Sequence, residues 1–135
     1  RVLFRSPNVT VFPHVGGSTG EAELNCAIMA GQTIRRFMET GEIVNSVNFP
    51  RVQQALSAPY RITLINKNVP NIVARISTAV SDFNINIDNI INRSKDDYAY
   101  TLLDLDETDK DKIDELVAKF EASDNIVRVR LIKGK

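Results

Sequence analysis

The stretch "YRITLINKNVPNIVARISTAVSDF", Tyr60–Phe83, changes its hydrophobic period partway along. Its first part, Tyr60–Asn66, alternates apolar and polar side chains, as a half-buried strand does. A break follows at Asn68–Asn71, where Pro70 suits the first turn of a helix. Apolar residues then recur at helical spacing: Ile72, Val73, Ile76, Ala79, Val80 and Phe83. The stretch therefore predicts a strand and then an amphipathic helix, which Asn84 closes.

The same alternation of periods continues downstream. Ile85–Asn92 and Tyr98–Asp106 are typical of strands, and the polar run Arg93–Asp97 between them predicts a hairpin turn. A second amphipathic helix and a last strand, Asn125–Ile132, follow. The apolar face of that helix consists of Ile113, Leu116, Val117 and Phe120. The order βαββαβ predicts a ferredoxin-like α+β domain, with both helices on one face of an antiparallel sheet.

The other face of the predicted sheet carries polar and basic side chains. They belong to Arg61, Thr63, Arg128 and Arg130. We expect this face to be open unless a partner covers it.

The residues before this domain predict a different kind of structure. Val9–Phe12 is a short apolar run that suits the end of a buried strand. Ser18 suits a helix N-cap, and Glu21 completes a capping box. A long helix to Thr40 is expected, and Gly41 suits its end. Its apolar positions are Leu24, Ala27, Ile28, Gly31, Ile34 and Met38.

The chain therefore divides into three parts. Residues 1–52 form the first region, which ends in the extended segment "EIVNSVNFPRV". Residues 53–59 are weakly patterned and are interpreted as a linker or hinge. Residues 60–135 form the ferredoxin-like domain.

Composition is that of an ordinary soluble globular protein, with 43% hydrophobic and 25% charged residues. Lys plus Arg equals Asp plus Glu at 17 each, so the overall charge favours neither nucleic acid nor a membrane surface. Cys26 is the single cysteine, which suits a reducing compartment. No apolar run is long enough to span a membrane, and no signal peptide is recognised. We expect a cytoplasmic protein without a metal site.

Two aromatic residues on the third strand, Tyr98 and Tyr100, raise an alternative function. RNA-recognition modules of the same topology stack bases on third-strand aromatics. Here acidic residues flank the strand, and the chain from Arg51 onward carries no net positive charge. We therefore interpret both tyrosines as core or interface residues and do not expect a nucleic-acid partner.

Three asparagines are candidates for binding a free amino acid. Asn66 and Asn68 bracket the turn after the first strand, and Asn86 begins the second strand. An amide side chain offers a donor and an acceptor, and backbone N–H groups at a helix start favour a carboxylate. The alternative is that these are turn and cap residues. We prefer that alternative for three other asparagines, Asn71, Asn84 and Asn92.

Two stretches resemble known families. "NKNVPNIVARISTAVSDFNINIDNI" resembles the start of an ACT domain, a module that senses amino acids. "FPHVGGSTGEAE" resembles the end of the catalytic part of D-2-hydroxyacid dehydrogenases. In this order, they resemble the phosphoglycerate dehydrogenase branch of that family, which acts in L-serine biosynthesis. The resemblance covers essentially the whole chain.

The dehydrogenase resemblance implies a role for the single histidine. It makes His14 the general acid/base of an NAD-dependent parent enzyme, a task that suits an imidazole pKa near 6.5. It gives Gly16 and Gly17 a weak association with the cofactor. The family's carboxylate partner, substrate arginine and dinucleotide loop have no match here, and the resemblance places them upstream. We expect this chain alone to be inactive and to bind no cofactor.

The ACT resemblance implies an effector site between two copies of the domain. It assigns amino-acid contacts to Asn66 and Asn68 of one subunit and to Asn86 of its neighbour, in a homo-oligomer. The implied ligand is L-serine or another small amino acid. Serine-sensing members carry His at the position of Asn66 and Gly at that of Asn71. The alternative is an ACT domain without a ligand, acting as a dimerisation module.

Overall fold

The computed structural model describes residues 7–10 and 16–134. Contacts divide the chain into two compact units, Arg1–Gly31 and Gln32–Lys135. The elements are α1 (Gly20–Thr40), β1 (Tyr60–Lys67), α2 (Ile72–Ser81), β2 (Asn86–Lys95), β3 (Tyr98–Asp106), α3 (Lys110–Glu121) and β4 (Ile126–Lys133). Among the described residues, no helix is both long and apolar enough to cross a membrane.

The start of α1 differs from the prediction by one residue. The Oγ1 atom of Thr19 accepts a hydrogen bond from the backbone N–H of Ala22 at 3.1 Å, so Thr19 caps the helix and Ser18 does not. Of the predicted strand Val9–Phe12, the first two residues have no regular structure and the last two lie outside the described residues. His14 lies outside them too.

The apolar residues of α1 stay exposed in this chain. No residue of the helix is buried, and Leu24 and Ile34 are more than 60% exposed. The helix ends at Thr40, and Gly41 follows with φ of 72°, in the left-handed region that glycine adopts without strain. The predicted end of the helix is confirmed.

The second unit contains the four-stranded sheet. Its strand order is β2-β3-β1-β4, and all neighbouring strands are antiparallel. Together with the element order, this arrangement confirms the predicted ferredoxin-like α+β fold. It places β2 and β4 at the two edges of the sheet.

Two boundaries near the predicted turns are different in the structure. β2 continues to Lys95, so the hairpin turn is shorter than the predicted Arg93–Asp97, with Asp96 at φ of 55°. α2 begins at Ile72, and Pro70 therefore precedes the helix and does not lie in its first turn. Asn71 stands at the cap position with φ of 63°, and its side chain makes no capping bond.

An apolar core lies between the sheet and the two helices that follow β1 and β3. The alternation of the strands points Ile62 and Leu64 of β1 toward the helices, and both are fully buried. The core contacts on the helices come from Ile72, Ile76, Val80, Ile113, Leu116 and Phe120. The periodicity of the sequence predicted this layer.

A second layer covers part of the opposite face of the sheet, here called the outer face. Ile43 and Val52 exchange two backbone hydrogen bonds, which form a strap of residues 42–52. The strap packs on Tyr100 and Leu102 of β3, and all four side chains are buried. The expectation that the outer face stays open without a partner is therefore wrong for this part of the sheet.

Candidate functional site

Arg61 is the centre of the polar contacts on the outer face. Its side chain is fully buried, as is that of Asp104 on the neighbouring strand. The Nε and Nη2 atoms of Arg61 donate to the two carboxylate oxygens of Asp104 at 2.5 and 2.8 Å. This is the two-bonded geometry that a guanidinium forms with a carboxylate.

The remaining donors of Arg61 bind backbone carbonyls from outside the sheet. Nη1 donates to Thr40 at 2.9 Å and to Gln54 at 2.8 Å, and Nη2 donates to Ala55 at 2.9 Å. All five N–H donors of the guanidinium are therefore used. The ion pair attaches the end of α1 and the predicted linker to the sheet, and the expectation that Arg61 lies on an open face is wrong.

Two more side chains of the sheet bind backbone carbonyls in the last turn of α1 and just after it. The hydroxyl of Tyr100 donates to the Gly41 carbonyl at 2.6 Å. Arg130 donates to the carbonyl of Phe37 at 2.9 Å and to that of Met38. The last carbonyls of a helix form the negative end of its dipole. The outer face adds hydrogen bonds and positive charge at this end, where the Phe37 carbonyl also accepts from the backbone N–H of Gly41 at 2.9 Å.

The phenol of Tyr100 stays protonated in this setting. Burial raises its pKa above the usual 10, and the nearby Thr63, Arg130 and Arg61 offset part of that effect. A neutral phenol can donate its hydrogen to the Gly41 carbonyl at neutral pH.

The predicted hinge, residues 53–59, is held by hydrogen bonds at both of its ends. Besides the two bonds from Arg61, the backbone N–H of Gln54 donates to the Glu42 carboxylate at 2.7 Å. The N–H of Gly134 donates to the Pro59 carbonyl at 2.8 Å. A hinge here stays a prediction, and motion in this segment would require these bonds to break.

Asn66, the first candidate ligand contact, is engaged within its own chain. Its side chain is fully buried on the helix-facing side of the sheet. Its Oδ1 accepts a hydrogen bond from Thr101 Oγ1 at 2.8 Å, and its Nδ2 donates to the Lys67 carbonyl at 3.0 Å. Asn92 donates to the same threonine oxygen at 2.7 Å. A ligand contact from Asn66 would require an exchange of these bonds.

Asn68 is more accessible. Its Nδ2 donates to the Asp96 carbonyl at 3.1 Å in an exposed setting, and its backbone N–H donates to Asp97. These bonds tie the loop after β1 to the hairpin between β2 and β3. Asn71, three residues further, adopts the left-handed backbone conformation in which Asn is the common substitute for Gly.

Asn86 lies at the opposite end of the same sheet. It is exposed and pairs with Asp106 at the end of β3, whereas Asn66 pairs with Ala99 near its start. One chain therefore does not bring Asn86 together with Asn66 and Asn68.

Gly16 and Gly17 are exposed and lie outside helices and strands. Their association with the cofactor of a parent enzyme stays a prediction.

Of the two tyrosines on β3, one is available to solvent. Tyr98 is 49% exposed, whereas Tyr100 is 2% exposed and contacts Phe49 of the strap edge to face at 6.3 Å. The prediction that Tyr100 is a core residue is confirmed. It cannot serve as a stacking platform for a base while the strap covers it.

No family model matches the chain. The chain is 30% identical over 136 residues to D-3-phosphoglycerate dehydrogenase 2 of Saccharomyces cerevisiae, covering 96% of this chain and 28% of that protein. It is 26% identical over 125 residues to D-3-phosphoglycerate dehydrogenase of Escherichia coli, covering 93% of this chain and 30% of that protein. The chain spans less than a third of the length of these curated relatives.

Two solved structures have folds similar to that of this chain. A homoserine dehydrogenase from Thiobacillus denitrificans aligns with a TM-score of 0.50 and 20% identity, covering 67% of this chain and 20% of that one. The ACT domain of a GTP pyrophosphokinase from Chlorobium tepidum aligns at 0.49 with 20% identity, covering 54% and 95%.

The strand order and helix placement define the class of the second unit: a ferredoxin-like α+β domain. Over nearly its whole length, the chain matches D-3-phosphoglycerate dehydrogenases, and it fits the C-terminal part of such a protein.

Proposed function

We propose that this chain is the regulatory end of an NAD-dependent D-3-phosphoglycerate dehydrogenase, and that its ACT domain binds L-serine or another small amino acid. The observation that carries the proposal is the match to proteins of that name over 96% of the chain. The ferredoxin-like topology agrees with it. The activity, the cytoplasmic location and His14 as the acid/base belong to the proposal for the parent enzyme.

The amino-acid site of this proposal spans two copies of the domain. Edge strands expose unpaired backbone groups, so two β2 strands can pair around a two-fold axis. Antiparallel pairing sets Asn86 of one copy beside the Lys95 end of the other copy's β2. Ser94, next to that end, is in register with Ala99, and Ala99 with Asn66. The loop after β1 therefore lies about 10 Å from the paired edge.

Within this site, Asn68 is the better candidate on the loop and Asn86 on the neighbouring copy. Both are exposed, and both offer a donor and an acceptor to an ammonium or a carboxylate. The start of α2 adds backbone N–H groups, because the side chain of Asn71 does not cap it. Asn66 supports the loop through its bonds to Thr101 and Lys67.

Calorimetric titration with L-serine, glycine and L-alanine tests the proposal. We expect millimolar or tighter binding of at least one amino acid to the chain. Asn86→Ala should weaken that binding by on the order of 1–3 kcal/mol, since it removes a donor and an acceptor from a desolvated site. The matched control is Asn48→Ala, an exposed asparagine of the strap, which should bind as the unchanged chain does.

A second candidate function is a dimerisation module without a ligand. The internal bonds of Asn66 favour it, since they use a side chain that the first proposal would assign to the ligand. Sedimentation separates the two candidates. Concentration-dependent dimers that no amino acid stabilises would support the module, whereas dimers that serine stabilises would support sensing. In either case, we expect no NADH-dependent turnover by this chain alone.

A further inference from the structure

A concave pocket lies on the outer face of the sheet, away from the proposed amino-acid site. Its volume is about 370 Å³, within the usual range for small-molecule sites. The last turns of α1 form one wall, and three strands form the floor and the other wall. The lining residues are Phe37, Met38, Thr63, Ile65, Tyr100, Arg128 and Arg130.

Two arginines supply positive charge to this pocket. Arg128 and Arg130 alternate along β4 and therefore project from the same face of the sheet, opposite Ile65 and Thr63 of β1. Neither guanidinium has a carboxylate oxygen within 4.0 Å among the described residues. The buried Arg61, on the same face, is paired with Asp104.

The two arginines differ in how far the chain itself uses them. Arg130 donates to the carbonyls of Phe37 and Met38, and its guanidinium lies 5.0 Å from the centre of the Phe37 ring. These contacts use two of its five N–H donors and orient the rest of the group. Arg128 is exposed. One arginine is thus pre-positioned, and the other is accessible from solvent.

The rest of the lining is apolar, with two hydroxyl groups. Phe37, Met38 and Ile65 offer apolar surface, and Thr63 and Tyr100 offer hydroxyls. An inorganic ion would leave the apolar wall unused, and a neutral apolar molecule would leave the arginines unused. We propose that this pocket binds a small organic anion, with a carboxylate or phosphate on Arg128 and Arg130 and a short apolar part against Phe37 and Ile65.

An anion on Arg130 would use the three N–H donors that the Phe37 and Met38 carbonyls leave free. Arg130 can therefore bind the anion and stay attached to the last turn of α1. The pocket does not include Asn68 or Asn86. The proposal for this pocket is therefore independent of the proposed amino-acid site.

The test is a titration of the ¹⁵N-labelled full chain followed by NMR. The probes are benzoate, which has both parts of the proposed ligand, benzyl alcohol, which lacks the charge, and inorganic phosphate, which lacks the apolar part. Benzoate should shift the amides of Thr63, Ile65 and Tyr100 in a saturable way, and benzyl alcohol should not. Saturation by phosphate at the same amides, tighter than by benzoate, would assign a phosphate as the headgroup.

Variants of two arginines complete the test. Arg128→Ala should weaken benzoate binding about tenfold, because a charge-assisted pair of hydrogen bonds is lost. Arg93→Ala is the matched control, since it removes an exposed arginine far from Arg128. Arg93 lies on β2, in register with Tyr100, and β2 and β4 are the two opposite edges of the sheet. Three results would overturn the proposal. Benzyl alcohol could bind as tightly as benzoate, the two variants could lose the same benzoate affinity, or millimolar benzoate could cause no saturable shifts. The spectra also show whether each variant is folded.

Discussion

The two faces of the sheet are covered in different ways. On the helix-facing side, apolar side chains of all four strands pack against those of α2 and α3. On the outer face, a smaller apolar cluster is joined by a buried ion pair and by side chains that bind carbonyls of α1 and the linker. The first layer depends on buried area, which is spread over many contacts. The second depends on a few hydrogen bonds, each of which is costly to lose.

The largest expected effect comes from breaking the buried ion pair. Arg61→Ala leaves the Asp104 carboxylate buried without its partner and should lower the free energy of unfolding by about 3–5 kcal/mol. Urea unfolding followed by circular dichroism measures this value. The comparison on the other face is Leu64→Ala, for which about 2–5 kcal/mol is expected from the lost packing and the cavity.

A double variant sharpens that comparison. Arg61→Met with Asp104→Leu removes both charges and should recover much of the lost stability. It does not restore donors to the carbonyls of Thr40, Gln54 and Ala55. We therefore expect the bridging amides of Ile43 and Val52 to exchange hydrogen faster than in the unchanged chain. Unchanged exchange at both amides would show that Arg61 does not hold the strap.

The glycine at the end of α1 gives the next largest effect. A Cβ at Gly41 would lie 2.6 Å from Cγ2 of Thr63, and the backbone there has φ of 72°. Gly41→Ala should therefore destabilise the chain by about 1–3 kcal/mol in thermal or urea unfolding. Gly31→Ala, inside α1, is the control. Its Cβ would meet nothing within 4 Å, so the helix should gain about 0.5–1 kcal/mol. Equal effects would contradict the close approach at Gly41.

The smallest expected effect concerns one hydroxyl. Tyr100→Phe keeps the ring against Phe49 but removes the donor to the Gly41 carbonyl. We expect a loss of about 0.5–1.5 kcal/mol in the free energy of unfolding. Tyr98→Phe, at an exposed site, should change stability by less than this. A larger loss in the Tyr98 variant would mean that the exposed hydroxyl has a partner.

Most of the helix-facing layer could be predicted from the sequence because its signals are local. Strand alternation at Tyr60–Asn66 and helical spacing in the two segments Ile72–Phe83 and Ile113–Phe120 specify which side chains face each other. The ends of the elements could not be predicted in the same way, because polar residues on an edge strand are similar to those of a turn. The strand that continues through Arg93–Lys95 is the example.

The outer layer could not be predicted in the same way. Arg61 and Asp104 are separated by 43 positions, and the other partners of Arg61 are backbone carbonyls, which any residue supplies. The available signal was a charged residue inside an apolar strand, Arg61 in β1 and Asp104 in β3, since a charge that is buried there requires a partner. For the candidate site, the sequence points to the asparagines, whose role as ligand contacts stays a prediction. The hydrogen bond from Thr101 to Asn66 could not be predicted, because it depends on the register of β1 and β3.

The hydrogen bond between Gly134 and Pro59 has a topological consequence. It places the entry and the exit of the ferredoxin-like domain side by side, since Pro59 directly precedes β1 and Gly134 directly follows β4. A Cβ at Gly134 would lie 2.3 Å from the Ala58 carbonyl oxygen, so this junction admits no larger residue without a shift. Such a domain can be inserted into a loop of another protein without separating the flanking segments, or circularly permuted by joining these ends and opening the Asp96 hairpin.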